Sequence, residues 1–282
     1  MDKFYIITNR DKDQNLRFTE EIVQYLKEHG KKCQVQQAER RVEGEYHYTD
    51  PALIPEDTQC ILVLGGDGTL LQAARDVVHR EIPMLGINLG TLGFLAEIDK
   101  TSIYTALDKL FADDYEIEER MMLHAVLLDG KETTALNDIV VTRASSTLKI
   151  LDLDIFIDDE YVDDFKADGI IVATPTGSTA YSLSAGGPIV DPSLNSMIVT
   201  PVCPHKMYSR TIIVPPEKTV TVKCKAAIDN EAVVAADSEI LGKLSGNETV
   251  VIQIAQKNFK LIRFKGYKFF SVLHNKLVKK ES

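Results

Sequence analysis

The stretch Cys60-Ile61-Leu62-Val63-Leu64-Gly65-Gly66-Asp67-Gly68-Thr69-Leu70-Leu71 decides the fold of the first half of the chain. Its first five residues are uniformly apolar, as a strand buried on both faces requires, and the glycines after them let the backbone turn sharply. Beyond the turn, Leu70, Leu71, Ala74, Val77 and Val78 fall on one helical stripe. The same grammar extends both ways. Phe4 to Thr8 reads as a buried strand, and Leu16, Thr19, Ile22, Val23 and Leu26 form a stripe that stops at His29-Gly30. Downstream, Met84 to Ile87 reads as a strand leading through a glycine-containing turn to a helix with Ile103, Ala106, Leu107, Leu110 and Phe111. Strands without alternation, separated by helices, predict a parallel sheet covered on both faces. Residues 39 to 58 are polar and broken by Pro51 and Pro55, so a loop is expected there.

Past about residue 119 short β-rich runs with turn residues between them take over: 122–128, 139–142, 151–157, 170–174, 211–214, 219–223, 250–254 and 259–264. In Leu151-Asp152-Leu153-Asp154-Ile155 the alternation puts Asp152 and Asp154 on one face. They read as a solvated hairpin face or as a metal pair, and nothing in the spacing makes them converge. Phe269 or Phe270, Leu273 and Leu277 are in helical register at the end of the chain. The expected architecture is an α/β N-terminal domain with a parallel sheet over 1–118, a mainly-β domain over 119–264, and a C-terminal helix over 265–282 that packs back on the first domain.

With 282 residues, 44% hydrophobic and 26% charged, the chain has room for these two domains and is neither disordered nor fibrous. The 32 Lys and Arg against 42 Asp and Glu leave a formal charge of −10, which excludes diffuse attraction to nucleic acid or to an anionic membrane. Any anionic ligand must be held by local devices. Cys33, Cys60, Cys203 and Cys224 are far apart with no Cys-x-x-Cys pair, as expected for reduced thiols. No apolar run is long enough to span a membrane or to form a signal-peptide core, so a cytoplasmic location is expected.

The chemistry concentrates in a few turns. In Gly65-Gly66-Asp67-Gly68-Thr69 the glycines admit a close ligand and the first amides of the following helix suit phosphate. Asp67 is odd in such a place. A carboxylate repels phosphate unless a divalent cation intervenes or it takes a proton from an attacking hydroxyl, both features of phosphoryl transfer. A plain turn with Asp67 or Thr69 capping the helix is an equal reading of these five residues. The turn Gly86-Ile87-Asn88-Leu89-Gly90-Thr91-Leu92-Gly93-Phe94 leaves the same sheet edge, where ligands bind parallel sheets, and should lie beside Asp67. It matches neither G-x-G-x-x-G nor a Walker A loop. A third segment, Asp168 to Pro188, runs from an apolar strand into a turn dense in hydroxyls that includes Thr176-Gly177-Ser178-Thr179-Ala180-Tyr181-Ser182-Leu183-Ser184. Such a turn suits a polar, planar ligand, or is a hydroxyl-capped turn. Asn137-Asp138 pairs an amide with a carboxylate, which suits the two hydroxyls of a ribose, although such a pair taken alone is more often a turn.

In this order the segments resemble the bacterial NAD kinases: Gly65 to Thr69, Asn88 to Leu95, Asn137-Asp138, Asp168 to Pro192, then Thr200-Pro201-Val202-Cys203-Pro204-His205 with Ser209-Arg210. The glycine motif alone is shared with diacylglycerol and sphingosine kinases; the stretch from Thr174 to Pro188 discriminates. The resemblance implies transfer of the γ-phosphate of ATP, with a divalent cation such as Mg²⁺, to the 2′-hydroxyl of the adenosine ribose of NAD, and a homodimer or homotetramer. It assigns Asp67 as general base, Gly65, Gly66 and Thr69 to the phosphate loop, and Gly68 and Phe94 to the ligand. Asn137 and Asp138 are assigned to the ribose, and Thr176, Thr179, Ala180, Tyr181, Ser182, Leu183 and Ser184 to the adenine and nicotinamide sites. Asp168 is assigned near the nicotinamide end and Lys166 to NAD, and no metal-ligating residue is assigned. Asp138 stands where Glu is usual, Lys166 where Arg is frequent and Gln72 where a basic residue often occurs. Two rivals are a lipid kinase sharing the glycine loop and a non-catalytic NAD or NADP sensor. The charge of −10 disfavours the first and Asp67 the second.

Overall fold

In chain order the fold begins with β1 (Lys3–Thr8), α1 (Arg17–Glu28) and β2 (Lys32–Val35), then β3 (Arg40–Val42), β4 (Tyr46–Tyr48), β5 (Cys60–Gly65), α2 (Asp67–Val77), β6 (Met84–Asn88), β7 (Ile98–Asp99), α3 (Ile103–Phe111) and β8 (Glu116–Arg120). There follow β9 (Leu123–Leu127), β10 (Glu132–Ala135), β11 (Asp138–Arg143), β12 (Leu151–Ile157), β13 (Glu160–Ala167), β14 (Gly169–Ala173), a four-residue α4 (Tyr181–Ser184), β15 (Met197–Val202), β16 (Ile212–Val214), β17 (Val220–Cys224), β18 (Ala232–Ala236), β19 (Glu239–Leu244) and β20 (Thr249–Ile254). The chain closes with β21 (Phe259–Arg263) and α5 (Phe269–Val278). The structure is a computed structural model that describes residues 1–36, 40–42, 46–90, 93–144, 149–206, 208–225, 231–266 and 268–278. It divides into one unit of 1–119 with 259–282 and a second of 120–258.

In the first unit the sheet order is β2-β1-β5-β6-β21-β8, with β7 also pairing with β6. Strands β1, β2, β5, β6, β7 and β21 pair in parallel, as the absence of alternation predicts. All six residues of β5 and all five of β6 are buried. The stripe of α1 buries Thr19, Ile22 and Leu26, and Gly30 ends it with φ +69. The stripe of α2 buries Leu70, Ala73, Ala74 and Val77. Strand β21 was expected in the β-rich domain, but it pairs beside Met84 of β6, so the second unit ends at Asn258 instead of 264. The run 39 to 58, expected as a loop, contains the antiparallel pair β3–β4 and a turn at Pro51–Leu53 capped by Asp50. The β-formers Val42, Tyr46 and Tyr48 were hidden there among charges. Leu273 of α5 is buried and Phe270 is exposed, while the side chain of Leu277 lies outside the described residues, as do Thr91 and Leu92.

The second unit is two six-stranded antiparallel sheets, β10-β9-β20-β17-β12-β13 and β16-β15-β14-β11-β18-β19. One apolar core joins their inner faces, with Leu123, Ile155 and Val222 from the first sheet and Ile139, Ile170, Val199 and Val234 from the second. A smaller cluster of Val140, Ile171, Ala173, Val190 and Ile198 covers the outer face of the second sheet. Strand β14 is therefore buried on both sides, which explains its unbroken apolar run. Strands β13 and β15 carried weak strand signals, the first because it is charge-rich and the second because Pro201 cannot donate to a ladder. Among the described residues no helix is long and apolar enough to cross a membrane. Leu62, fully buried at the centre of the parallel sheet, sets the strand that carries the glycine turn. Leu62→Ala is expected to cost about 2–5 kcal/mol, read as a lower urea midpoint in equilibrium unfolding.

Candidate active site

Strand β5 delivers its glycines to the start of α2. Gly65 is obligatory, since a Cβ there would meet Thr69 Oγ1 at 2.3 Å. Asn9 Nδ2 donates to the Thr69 hydroxyl at 3.2 Å, and the Asn9 amide donates to Leu64 O at 2.8 Å, so the end of β1 braces the turn. Neither Asp67 nor Thr69 caps α2 with its side chain. Instead the Asp67 carboxylate reaches across to the turn after β6. Oδ2 accepts from the Phe94 amide at 2.8 Å, and Oδ1 accepts from Leu95 at 3.2 Å and Ala96 at 2.9 Å. Gly93 makes room for it, because a Cβ there would lie 1.8 Å from Asp67 Oδ1. The two glycine-containing turns thus lie side by side, as their common sheet edge requires.

The carbonyls of the same segment are held from the other side. Arg263 Nη2 donates to Phe94 O at 3.1 Å and Nη1 to Leu95 O at 3.3 Å, and the Gly93 amide donates to Ala96 O at 3.3 Å. Arg263 is buried and ion-paired with Glu97 at 3.0 Å and Glu118 at 2.8 Å. Burial pushes the Glu97 carboxyl up while Arg263 opposes it. Lys276 of α5 sets its Nζ 4.3 Å from the centre of the Phe94 ring, with Phe269 at 6.2 Å. Lys12 lies on the other flank, its Nζ 2.9 Å from where a Gly66 Cβ would sit. Sequence reading passed over Arg263, whose signal was a lone guanidinium inside Phe259-Lys260-Leu261-Ile262-Arg263-Phe264. It also passed over Lys12, which no local pattern distinguishes.

In the second unit Asn137 is half-buried and Asp138 opens β11 with 6% exposure. Burial first, and the Asp237 carboxylate second, push the Asp138 carboxyl up to about 7. Asp168 is paired with Arg143 Nε at 3.2 Å, and Lys166 is exposed on β13. The hydroxyl-rich turn is a 3-10 turn, Thr176–Thr179, followed by α4. Buried Arg120 donates to Thr176 Oγ1 at 3.2 Å. Ser178 donates to Pro175 O at 2.6 Å and accepts from the Val190 amide at 3.1 Å. Ser182 was expected on the ligand wall; its side chain is fully buried, 3.1 Å from Thr200 Oγ1, and supports the turn from behind. Thr179, Ala180 and Leu183 are half-buried, and Tyr181 and Ser184 are exposed.

Among the described residues no three His, Cys, Asp or Glu side chains converge to hold a metal ion. Asp152 and Asp154 are bound by Lys225, at 3.1 and 2.8 Å, which resolves their face as an ion-paired one. The Asp138 carboxyl carries a pH signature. The folded state holds its proton up to about pH 7, whereas an unfolded aspartate releases it near 3.8, so its contribution to stability is complete at low pH and is lost as pH rises to about 7. Asp138→Asn removes this loss. Its melting temperature is expected to rise relative to wild type between about pH 5 and about pH 8, by thermal denaturation at both.

Comparison with known proteins gives the family. Residues 4–115 match the family model described as the ATP-NAD kinase N-terminal domain, and residues 136–264 that of the ATP-NAD kinase C-terminal domain. An NAD kinase of Lachnoclostridium phytofermentans is 44% identical over 285 residues, covering 98% of this chain and 99% of its own length. One of Acetivibrio thermocellus is 38% identical, covering 98% and 96%. Among solved structures, an NAD kinase from Archaeoglobus fulgidus in complex with ATP has a TM-score of 0.78 at 25% identity, covering 97% of this chain and 98% of its own. A yeast NADH kinase complexed with NADH has a TM-score of 0.81 at 26% identity, covering 99% and 88%. With both domain models matched and full-length relatives well above a third identical, the chain belongs to the ATP-NAD kinase family of phosphotransferases.

Proposed function

We propose that the chain moves the γ-phosphate of ATP to the 2′-hydroxyl of the adenosine ribose of NAD, with Asp67 as the proton acceptor. Family membership supports the reaction, and the carboxylate fixed in the glycine turn supports the role. Three amides occupy three of the roughly four acceptor positions of the Asp67 carboxylate, leaving one for a hydroxyl. As the ribose oxygen bonds to the γ-phosphorus, its proton passes to Asp67. The bond from that phosphorus to the β-phosphate oxygen breaks, and ADP leaves. Little further covalent work is needed from the protein, so rigid positioning carries most of the catalysis.

In this reading the amides at the start of α2, with Gly65, Gly66 and Thr69, face the phosphates of ATP, and Gly68 lies against NAD. Lys12, in the turn after β1, adds a cation beside them, whereas Gln72 of α2 offers none. Asn137 and Asp138 hold the ribose hydroxyls; Phe94, Thr179, Ala180, Tyr181, Leu183 and Ser184 line the base sites; Asp168 lies toward the nicotinamide end, and Lys166 contributes to NAD binding. A divalent cation such as Mg²⁺, implied by the resemblance, would neutralise the phosphate charge of ATP. Assembly into a homodimer or homotetramer rests on the resemblance to bacterial NAD kinases. A cytoplasmic location fits cysteines that stand far apart in the chain with no Cys-x-x-Cys pair.

Purified protein given NAD, ATP and Mg²⁺ should produce NADP; tight NAD binding without product would favour the sensor reading. Asp67→Asn cannot take the proton and puts an NH₂ group among the amides of Phe94–Ala96, so turnover should fall by at least about 100-fold, far more than the affinity for NAD. Equal turnover in the two proteins would remove Asp67 from this role. Lys12→Gln should raise the KM for ATP several-fold and leave the KM for NAD unchanged, as read in initial-rate kinetics with each substrate varied in turn.

A further inference from the structure

The segment Leu136-Asn137-Asp138 has every backbone polar group accounted for, and one side chain does half of it. The carboxylate of Asp237, in the turn between β18 and β19, accepts from three successive amides: Oδ2 from Leu136 at 2.8 Å, and Oδ1 from Asn137 at 2.8 Å and Asp138 at 3.2 Å. The carbonyls are held in turn. Thr174 Oγ1 donates to Leu136 O at 2.6 Å, the Thr174 amide to Asn137 O at 2.8 Å, and the Asp237 amide to Asp138 O at 3.0 Å. Gly177 packs against the same peptide, where a Cβ would stand 2.1 Å from Asn137 O. Asp237 and Ser238 have φ of +46 and +73, the left-handed turn that aims the carboxylate at these amides. An exposed hairpin would gain nothing from a carboxylate folded back in this way.

We propose that Asp237 is a positioning residue for NAD: by fixing the backbone of Leu136-Asn137-Asp138 it aims the Asn137 and Asp138 side chains at the ribose hydroxyls. The inference rests on the assignment of those two residues to the ribose. Its electrostatic corollary is specific. The elements packed on Asp138 present Ala173 and Thr174 from the β14 side and Ala236 and Asp237 from the β18 side, so Asp237 supplies the charge that acts on it. That carboxylate raises the proton affinity of Asp138 in addition to the larger effect of burial.

The test is Asp237→Asn, which tolerates the left-handed turn but loses the charge and puts an NH₂ group among amide donors. The KM for NAD should rise by roughly tenfold or more, as expected for lost charge-assisted hydrogen bonds, with kcat changed less. The acidic limb of kcat/KM for NAD should move to lower pH, because Asp138 then ionises more easily. Asp237→Glu, which keeps the charge but not the fit, should raise the KM while leaving that limb near its wild-type position, and serves if the Asn variant does not fold. A lowered melting temperature with unchanged KM and unchanged limb in both variants would overturn the proposal and make Asp237 merely structural. Asn137→Ala and Asp138→Asn separate the two levels. If they raise the KM for NAD while the Asp237 variants do not, only the positioning role fails; if they leave the KM unchanged, the ribose assignment fails with it.

Discussion

Backbone amides that leave regular structure near a ligand must still find acceptors, and here carboxylates supply them. Asp67 takes three consecutive amides of the turn after β6, and this interaction ties the two functional turns of the parallel sheet together. Without it the Phe94–Ala96 segment would present bare donors, and the carboxylate would be free to rotate. Gly93 follows from the same contact, since any side chain there would displace the carboxylate. So does the return of the chain to the first unit. Strand β21 brings Arg263, whose guanidinium closes the carbonyl side of the segment while its charge is balanced by Glu97 and Glu118.

Asp237 repeats the device in the second unit on Leu136-Asn137-Asp138, with Thr174 in place of the arginine on the carbonyl side. Each unit thus holds residues of the proposed site on an irregular segment whose backbone is fixed by hydrogen bonds to a carboxylate. Rigidity of this kind suits phosphoryl transfer, in which catalysis is mostly placement. The hydroxyl-rich turn obeys the same logic. Ser178 and Ser182 are spent on internal bonds, and that leaves Thr179 to Ser184 with a fixed outward face apart from Ser182 itself. A dense run of donors in a sequence is therefore a mixture of scaffold and surface, and burial separates the two.

Much of the fold was legible because its signals are local. The uniformly apolar runs at Phe4 to Thr8, Cys60 to Leu64 and Met84 to Ile87 became parallel strands, and the stripes of α1, α2 and α3 face their core. Edge strands were harder to see. Strand β13 carries four charged residues in Glu160-Tyr161-Val162-Asp163-Asp164-Phe165-Lys166-Ala167, because one of its flanks faces no neighbouring strand. Strand β21 could be read as a strand but not placed, since its partner lies far back in the chain and pairing leaves no mark in composition.

What the sequence by itself determined is the family and the elements that carry its motifs: a glycine turn with Asp67 between strand and helix, an amide beside a carboxylate at the start of a strand, a hydroxyl-rich turn behind another. These are properties of short windows, where glycine freedom, apolar periodicity and donor chemistry act over a few residues. The tertiary structure alone decided what those groups touch. It turned Asp67 from a helix cap into a brace for Phe94–Ala96, buried Ser182, and brought Arg263 and Asp237 to segments about 170 and 100 residues earlier in the chain. Such contacts depend on how strands pair across long separations, and the energy that selects them belongs to the whole packed unit, not to any one stretch of it.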